Sequence, residues 1–199
     1  MGAGIDTNQF SRNEKILRKS NTILSLGRIS PVKKIEHIIE GLEKVHAQGV
    51  AFTASLYGDP TSCDGEYYKQ IREKGTTLEE KGVLSFHRSV ANTEAPEIYN
   101  QHEIFINATP RGSFDKTVLE AAASEMVVIT CNDSFRGIVR DEFIVREDSV
   151  RDLATKIIYT LKPSHSEKKS IGEELRKCVV GEHDVQVVVK GIYDSIYLP

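Results

Sequence analysis

Apolar positions along this chain fall into short runs that alternate with helical periodicities. Roughly the first twenty residues are polar and show no clear period. In NTILSLGR, the run Ile23, Leu24, Leu26 predicts a buried strand that ends at Gly27. Ile35, Ile38, Ile39, Leu42 and Val45 then recur at i, i+3, i+4, i+7 and i+10, the stripe of an amphipathic helix. Ser30 before Pro31 reads as the N-cap of that helix, with proline in its first turn. Residues 51–59 predict a strand running into a Gly-Asp-Pro turn. Further on, the pattern predicts helices over 65–75, 94–101 and 116–124 and a short one near 136–140, and strands over 83–87, 104–107, 127–130 and 142–145. Val150, Leu153, Ala154, Ile157, Ile158 and Leu161 line one face of another helix, opened by Ser149 and Asp152 as a capping box. After Pro163 two more helices fit, over roughly 166–178 and 184–197.

The strands read as short, apolar and mostly non-alternating, as strands buried on both faces do. That implies a parallel sheet covered by helices. The fold class is therefore α/β, a Rossmann-like, doubly wound sheet, in one domain over residues 1–199 with its core at about 20–162 and extra helices at about 164–197. Ligands of such sheets sit at the carboxyl ends of the strands, near the point where strand order reverses.

Composition narrows the function. Twenty-six Lys and Arg against 29 Asp and Glu leave a net charge of −3, which argues against general nucleic-acid binding but not against a local basic site. The apolar share is 39%, or about 43% when Gly is counted in place of Tyr, slightly below the usual range, which points to more exposed surface than usual or to a face that expects a partner. No apolar run is long enough for a membrane span, and the opening MGAGIDTNQF has neither the basic nor the apolar region of a signal peptide. Cys63, Cys131 and Cys178 are far apart and odd in number, so a reduced, cytoplasmic setting is expected. None of the six histidines stands in metal-ligand spacing.

Two strand-to-helix turns carry candidate chemistry. In GRISPVKK, Arg28 follows a strand end, and Lys33 and Lys34 fall in the first turn of the next helix. Cations are misplaced at a helix N-terminus unless an anion binds there. Backbone N–H groups, a lysine and an arginine would together hold a phosphate; lysines pointing into water would account for the pattern equally well. In TPRGSFDKTVLEAAAS, Gly112 and Ser113 lead into a second helix N-terminus, where Asp115 either caps the helix or accepts hydrogen bonds from a ligand. Glu120 lies one turn further on, placed to accept from sugar hydroxyls. His87 and Arg88 follow a third strand end and could line the same site. The stripe Val185, Val188, Val189, Ile192, Ile196 is expected to pack on this domain.

Taken together, the segments resemble a known family. GID with Phe10, LSLGRISPVKKIEHIIEGL, LYGDP, VLSFHRSVANTEAPEIYNQHEIFINAT and GSFDKTVLEAAASEMVVIT, in this order, are similar to the C-terminal half of GT-B-fold retaining glycosyltransferases of family 4, the group 1 glycosyltransferases, over about residues 1 to 162. The resemblance implies transfer of a hexosyl group from a nucleoside-diphosphate sugar to an acceptor hydroxyl, in polysaccharide or glycolipid synthesis. It gives Arg28 and Lys33 the donor diphosphate, with no metal cofactor because these cations neutralise the leaving group. Glu120 would contact the ribose. Gly27 and the loop Gly112, Ser113, Phe114, Asp115 and Thr117 would meet the donor sugar and its phosphates. The family pattern has a glutamate eight residues before Glu120, where this chain has Gly112, and a glycine where it has Glu125. The resemblance also implies an N-terminal acceptor domain as partner, not contained in these residues, without which the chain would not turn over. The full enzyme could then sit peripherally at a membrane, and the last helix would often cross back to the N-terminal domain, leaving part of its stripe exposed here. The competing expectation is a non-catalytic nucleotide-sugar-binding or scaffolding module that pairs with a separate subunit.

Overall fold

The computed structural model describes residues 3–111 and 114–197. Five strands, β1 (Thr22–Leu26), β2 (Thr53–Tyr57), β3 (Leu84–His87), β4 (Ile104–Asn107) and β5 (Val127–Thr130), form one sheet in the order β3-β2-β1-β4-β5. Every pairing is parallel. Winding runs outward from β1 to β3, then restarts on the other side of β1, so the order reverses between β1 and β4. The helices are α1 (Ile35–His46), α2 (Gly65–Glu80), α3 (Ala95–Gln101), α4 (Lys116–Ala123), α5 (Val150–Leu161), α6 (His165–His183) and α7 (Val185–Tyr197).

Two apolar layers sandwich the sheet. On one side Ile38, Ile39 and Leu42 of α1 and Leu153 and Ile157 of α5 pack over Ile23, Ala54, Leu56 and Leu84. On the other, Tyr99 of α3, Val118 and Ala122 of α4 and Leu175 and Val179 of α6 pack over Leu24, Phe105 and Val128. Each fully buried Leu or Ile here is worth about 1.5–3 kcal/mol of transfer free energy.

Several expectations are corrected. β2 alternates, with Ala54 and Leu56 buried, Thr53 exposed and Ser55 and Tyr57 half-buried, and in β3 only Leu84 is buried, with Ser85 and Phe86 half-buried and His87 exposed. The seven-residue α3 sits over β1 and β4, so the second face of β2 and β3 has no helix on it. The helix predicted from Ser30 is broken. Pro31–Lys33 is a single 3-10 turn, Ser30 makes no side-chain capping bond, and Lys34 at φ 46° separates that turn from α1. Residues 142–145 form no strand. Asp141–Phe143 is a 3-10 turn, and Ile144 makes one isolated bridge to Thr130. Phe143, Ile144 and Val145 are buried, so this apolar run fills core rather than extending the ladder. The helix expected near 136–140 is a 3-10 turn at Asp133–Phe135. Ser149 caps α5 through the Asp152 N–H, but the Asp152 carboxylate accepts from the Arg146 N–H instead of closing a box. A complete box occurs at α6, between Ser164 and Glu167. Finally, α7 buries no residue, and Val185, Val189, Ile192 and Ile196 are exposed rather than packed on the domain.

Candidate functional site

The reversal between β1 and β4 opens a cleft at the carboxyl ends of the strands, lined by Gly27, Arg28, Lys33, Tyr57, Asn107 and Thr109. Glycine is required at its rim. Gly27 has φ +154°, and the β2 turn packs so closely that a Cβ on Gly58 would lie 1.9 Å from the Gly27 carbonyl oxygen. Backbone bonds from Gly27 N–H to the Tyr57 carbonyl and from Ile29 N–H to the Asp59 carbonyl, both 3.0 Å, hold the two turns together.

Arg28 and Lys33, expected to meet the same ligand, line this cleft together. Arg28 is exposed and makes no ion pair or hydrogen bond among the described residues. Lys33 ends the 3-10 turn and pairs with Asp115. Lys34, in contrast, pairs with Asp148 outside the cleft, and this contact raises its pKa.

Asp115 is the hub of the opposite wall. It caps α4 and is buried. Its Oδ2 accepts from Lys33 Nζ, Asn107 Nδ2 (2.8 Å) and Thr109 Oγ1 (3.2 Å); its Oδ1 accepts from Thr117 Oγ1 (2.9 Å) and Thr117 N–H (3.3 Å). Burial pushes this carboxyl up, but the Lys33 ammonium and the donors from Thr117 and Asn107 outweigh it and hold the pKa below the usual value. One turn along α4, Glu120 is buried and accepts from the Tyr99 hydroxyl at 2.9 Å. Burial raises its pKa, and the Asp115 charge adds to that. Tyr99 itself, fully buried beside this carboxylate, is raised well above the ordinary phenol value.

Gly27, Arg28 and Lys33 therefore line one cleft; Asp115 joins them through its contacts with Lys33, Asn107 and Thr109, Thr117 is bonded to Asp115, and Glu120 lies further along α4, bonded to Tyr99 and outside the cleft lining. Gly112 and Ser113 lie outside the described residues. The Phe114 ring is turned into the molecule, 4.6 Å from Phe135 and 5.5 Å from His183 between centroids, and anchors the loop by packing. His87 and Arg88 do not line the cleft. The His87 ring stacks on Tyr57 (4.2 Å, 12°) over the open face of β2 and β3, and burial lowers its pKa. Arg88 pairs with Asp59 at 2.7 Å. Sequence reasoning missed Asn107, Thr109 and Tyr99. Asn107 ends an otherwise apolar strand at the reversal point, which is a readable signal; the Tyr99–Glu120 bond joins two helices and has none.

Among the described residues, no group of His, Cys, Asp and Glu could hold a metal ion. Among the same residues, no helix is long and apolar enough to cross a membrane.

A family model described as glycosyl transferases group 1 matches residues 20–163. One curated relative, the GtfA subunit of a UDP-N-acetylglucosamine–peptide N-acetylglucosaminyltransferase of Streptococcus gordonii, is 24% identical over 112 residues, which is 56% of this chain and 21% of the relative. Among solved structures, the C-terminal domain of the group 1 glycosyl transferase LpcC of Francisella tularensis is matched over 92% of this chain and all of that one, at 22% identity and a TM-score of 0.77. HepE of Anabaena, in complex with UDP, gives a TM-score of 0.84 at 18% identity over 97% of this chain and 55% of HepE. Sucrose-phosphate synthase of Thermosynechococcus elongatus gives 0.81 at 17% identity over 98% of this chain and 51% of the synthase. The chain thus spans about half of these two enzymes and a fifth of the curated relative. The fold is that of the C-terminal domain of GT-B glycosyltransferases. With a family model covering most of its length, this chain belongs to the group 1 glycosyltransferases.

Proposed function

We propose that this chain is the donor-binding half of a retaining enzyme that moves a hexosyl group from a nucleoside-diphosphate sugar to an acceptor hydroxyl. The observation that carries the reading is the cleft between β1 and β4, lined by Arg28, which has no ion-pair partner among the described residues, and by Lys33, which pairs with Asp115 at the start of α4. As the glycosidic bond to the diphosphate breaks, negative charge grows on the departing phosphate oxygen. Arg28 and Lys33 stabilise that charge most where it is fully developed, which lowers the barrier to departure. They take the task a divalent metal would otherwise perform, so transfer is expected without one. Glu120, oriented by Tyr99, accepts from the ribose hydroxyls. The HepE structures with UDP and with UDP-glucose make uridine nucleotides the first donors to try.

The acceptor would be held by a second domain, in keeping with the half-length match to these enzymes. This chain alone is then expected to bind donor without transferring it. A non-catalytic module is the second reading. Gly112, standing where the family pattern has a glutamate, favours it. One experiment separates the two. The chain is supplied with an N-terminal half from the same polypeptide or from a partner subunit, given each donor in turn with acceptor, and the product is examined by proton NMR. An α-linked product from an α-linked donor supports the transferase. Donor binding with no transfer in any combination supports the module.

A further inference from the structure

Lys33 meets its expected ligand only after leaving another anion. Its sole polar partner among the described residues is the Asp115 carboxylate, whereas Asp115 has Asn107, Thr109 and both the hydroxyl and the N–H of Thr117 as well. The pair is therefore asymmetric. When Lys33 swings away, Asp115 keeps four donors and stays satisfied; Lys33 left without Asp115 is a bare cation in the lining of the cleft. The Lys33 side chain is 17% exposed against 8% for Asp115, so the lysine is the more solvent-accessible member of the pair.

We propose that Asp115 is the resident counter-ion of Lys33, and that the donor diphosphate binds by exchange, a phosphate oxygen replacing Asp115 at the Lys33 ammonium. The proposal rests on the donor-binding reading above. Ion exchange at one lysine has a defined sign. The buried Asp115 charge opposes any anion entering the cleft, so it lowers affinity and discriminates against ligands too weakly charged to compete for Lys33. Arg28 gives the incoming diphosphate its first contact, and Lys33 is released to it afterwards.

The test is a calorimetric titration of the chain with inorganic pyrophosphate and, separately, with UDP. The proteins are wild type, Asp115→Asn, Asp115→Ser and the double variant Asp115→Asn with Lys33→Ala, with melting curves to confirm folding. Asn and Ser both remain good N-caps for α4, so the charge is removed while the cap is kept. The expected result is pyrophosphate binding about tenfold tighter in Asp115→Asn and in Asp115→Ser than in wild type, as removal of one nearby like charge implies, and lost in the double variant. Pyrophosphate binding that is unchanged, weaker or absent in both Asp115 variants overturns the proposal and makes Asp115 a support for Lys33 instead. UDP separates the two readings. Tighter pyrophosphate with no UDP binding keeps the exchange and removes the nucleotide reading. UDP bound equally by wild type and Asp115→Asn keeps the nucleotide reading and removes the exchange.

Discussion

At the residue scale two carboxylates on α4 differ in ionisation because their surroundings differ. Asp115 is held ionised by five donors, and Glu120 is pushed toward its neutral form by burial and by that neighbouring charge. Glu120→Gln keeps the size and an acceptor oxygen but loses the charge. It is expected to weaken nucleoside-diphosphate binding about tenfold to a hundredfold, the value of a charged hydrogen bond or two, with an unchanged melting temperature; isothermal titration checks it. Asp115 also leaves a mark on stability. Its folded pKa lies below the unfolded one, so its contribution is present above the unfolded value and is lost as pH falls through the folded value. Urea melts of Asp115→Asn are therefore expected to show a shallower loss of stability below about pH 4. The meeting of Arg28 and Lys33 in one cleft was legible in the sequence because both positions follow from a strand end and the turn after it. Tyr99 was not, since its role as a buried donor is defined by a tertiary neighbour that no periodicity encodes, whereas Asn107 left a signal by ending an apolar strand at the reversal point.

At the element scale, the close approach of the turns at Gly27 and Gly58 decides how well the cleft is placed. A Cβ on Gly58 would collide with the Gly27 carbonyl, so Gly58→Ala must separate the β1 and β2 turns. The expected cost is about 1–3 kcal/mol in denaturant melts, together with weaker donor binding because Gly27 and Arg28 move. Ser164→Ala removes a full capping box far from the cleft. It is expected to cost about 1 kcal/mol and to leave donor binding untouched, which makes it the control for Gly58→Ala. The five strands and the long helices were legible, although α2 and α6 each run five residues beyond the predicted end. β2 misled because TASLY alternates, yet its apolar members were read as part of a continuous buried run; the short α3 leaves that second face open. The segment 142–145 misled because an apolar run reports burial, and Phe143 is buried in a 3-10 turn without a ladder. The kink at Lys34 was hidden because Ser-Pro followed by an apolar stripe reads as one continuous helix start, whereas the left-handed residue splits it.

At the scale of the whole molecule, the winding of the sheet turns distant segments into a site. Residues 27–33 and 107–109 are remote in sequence, and the reversal of strand order between β1 and β4 brings them to one cleft, where Lys33 meets Asp115. Net charge is −3, so attraction for a diphosphate comes from the local placement of Arg28 and Lys33 and not from the overall field. The doubly wound class was legible from the βα alternation. The exposure of α7 was not, because an apolar helical stripe looks the same whether its cover lies in this domain or elsewhere. The measurement that tests the central claim most directly is a calorimetric titration of the chain with UDP, GDP and ADP, in parallel with Lys33→Ala and Arg28→Ala. Saturable binding of one diphosphate, weakened at least tenfold in each variant, is the expected result. Binding that both variants retain in full, or no binding of any of the three at millimolar concentration, would contradict a donor site in this cleft.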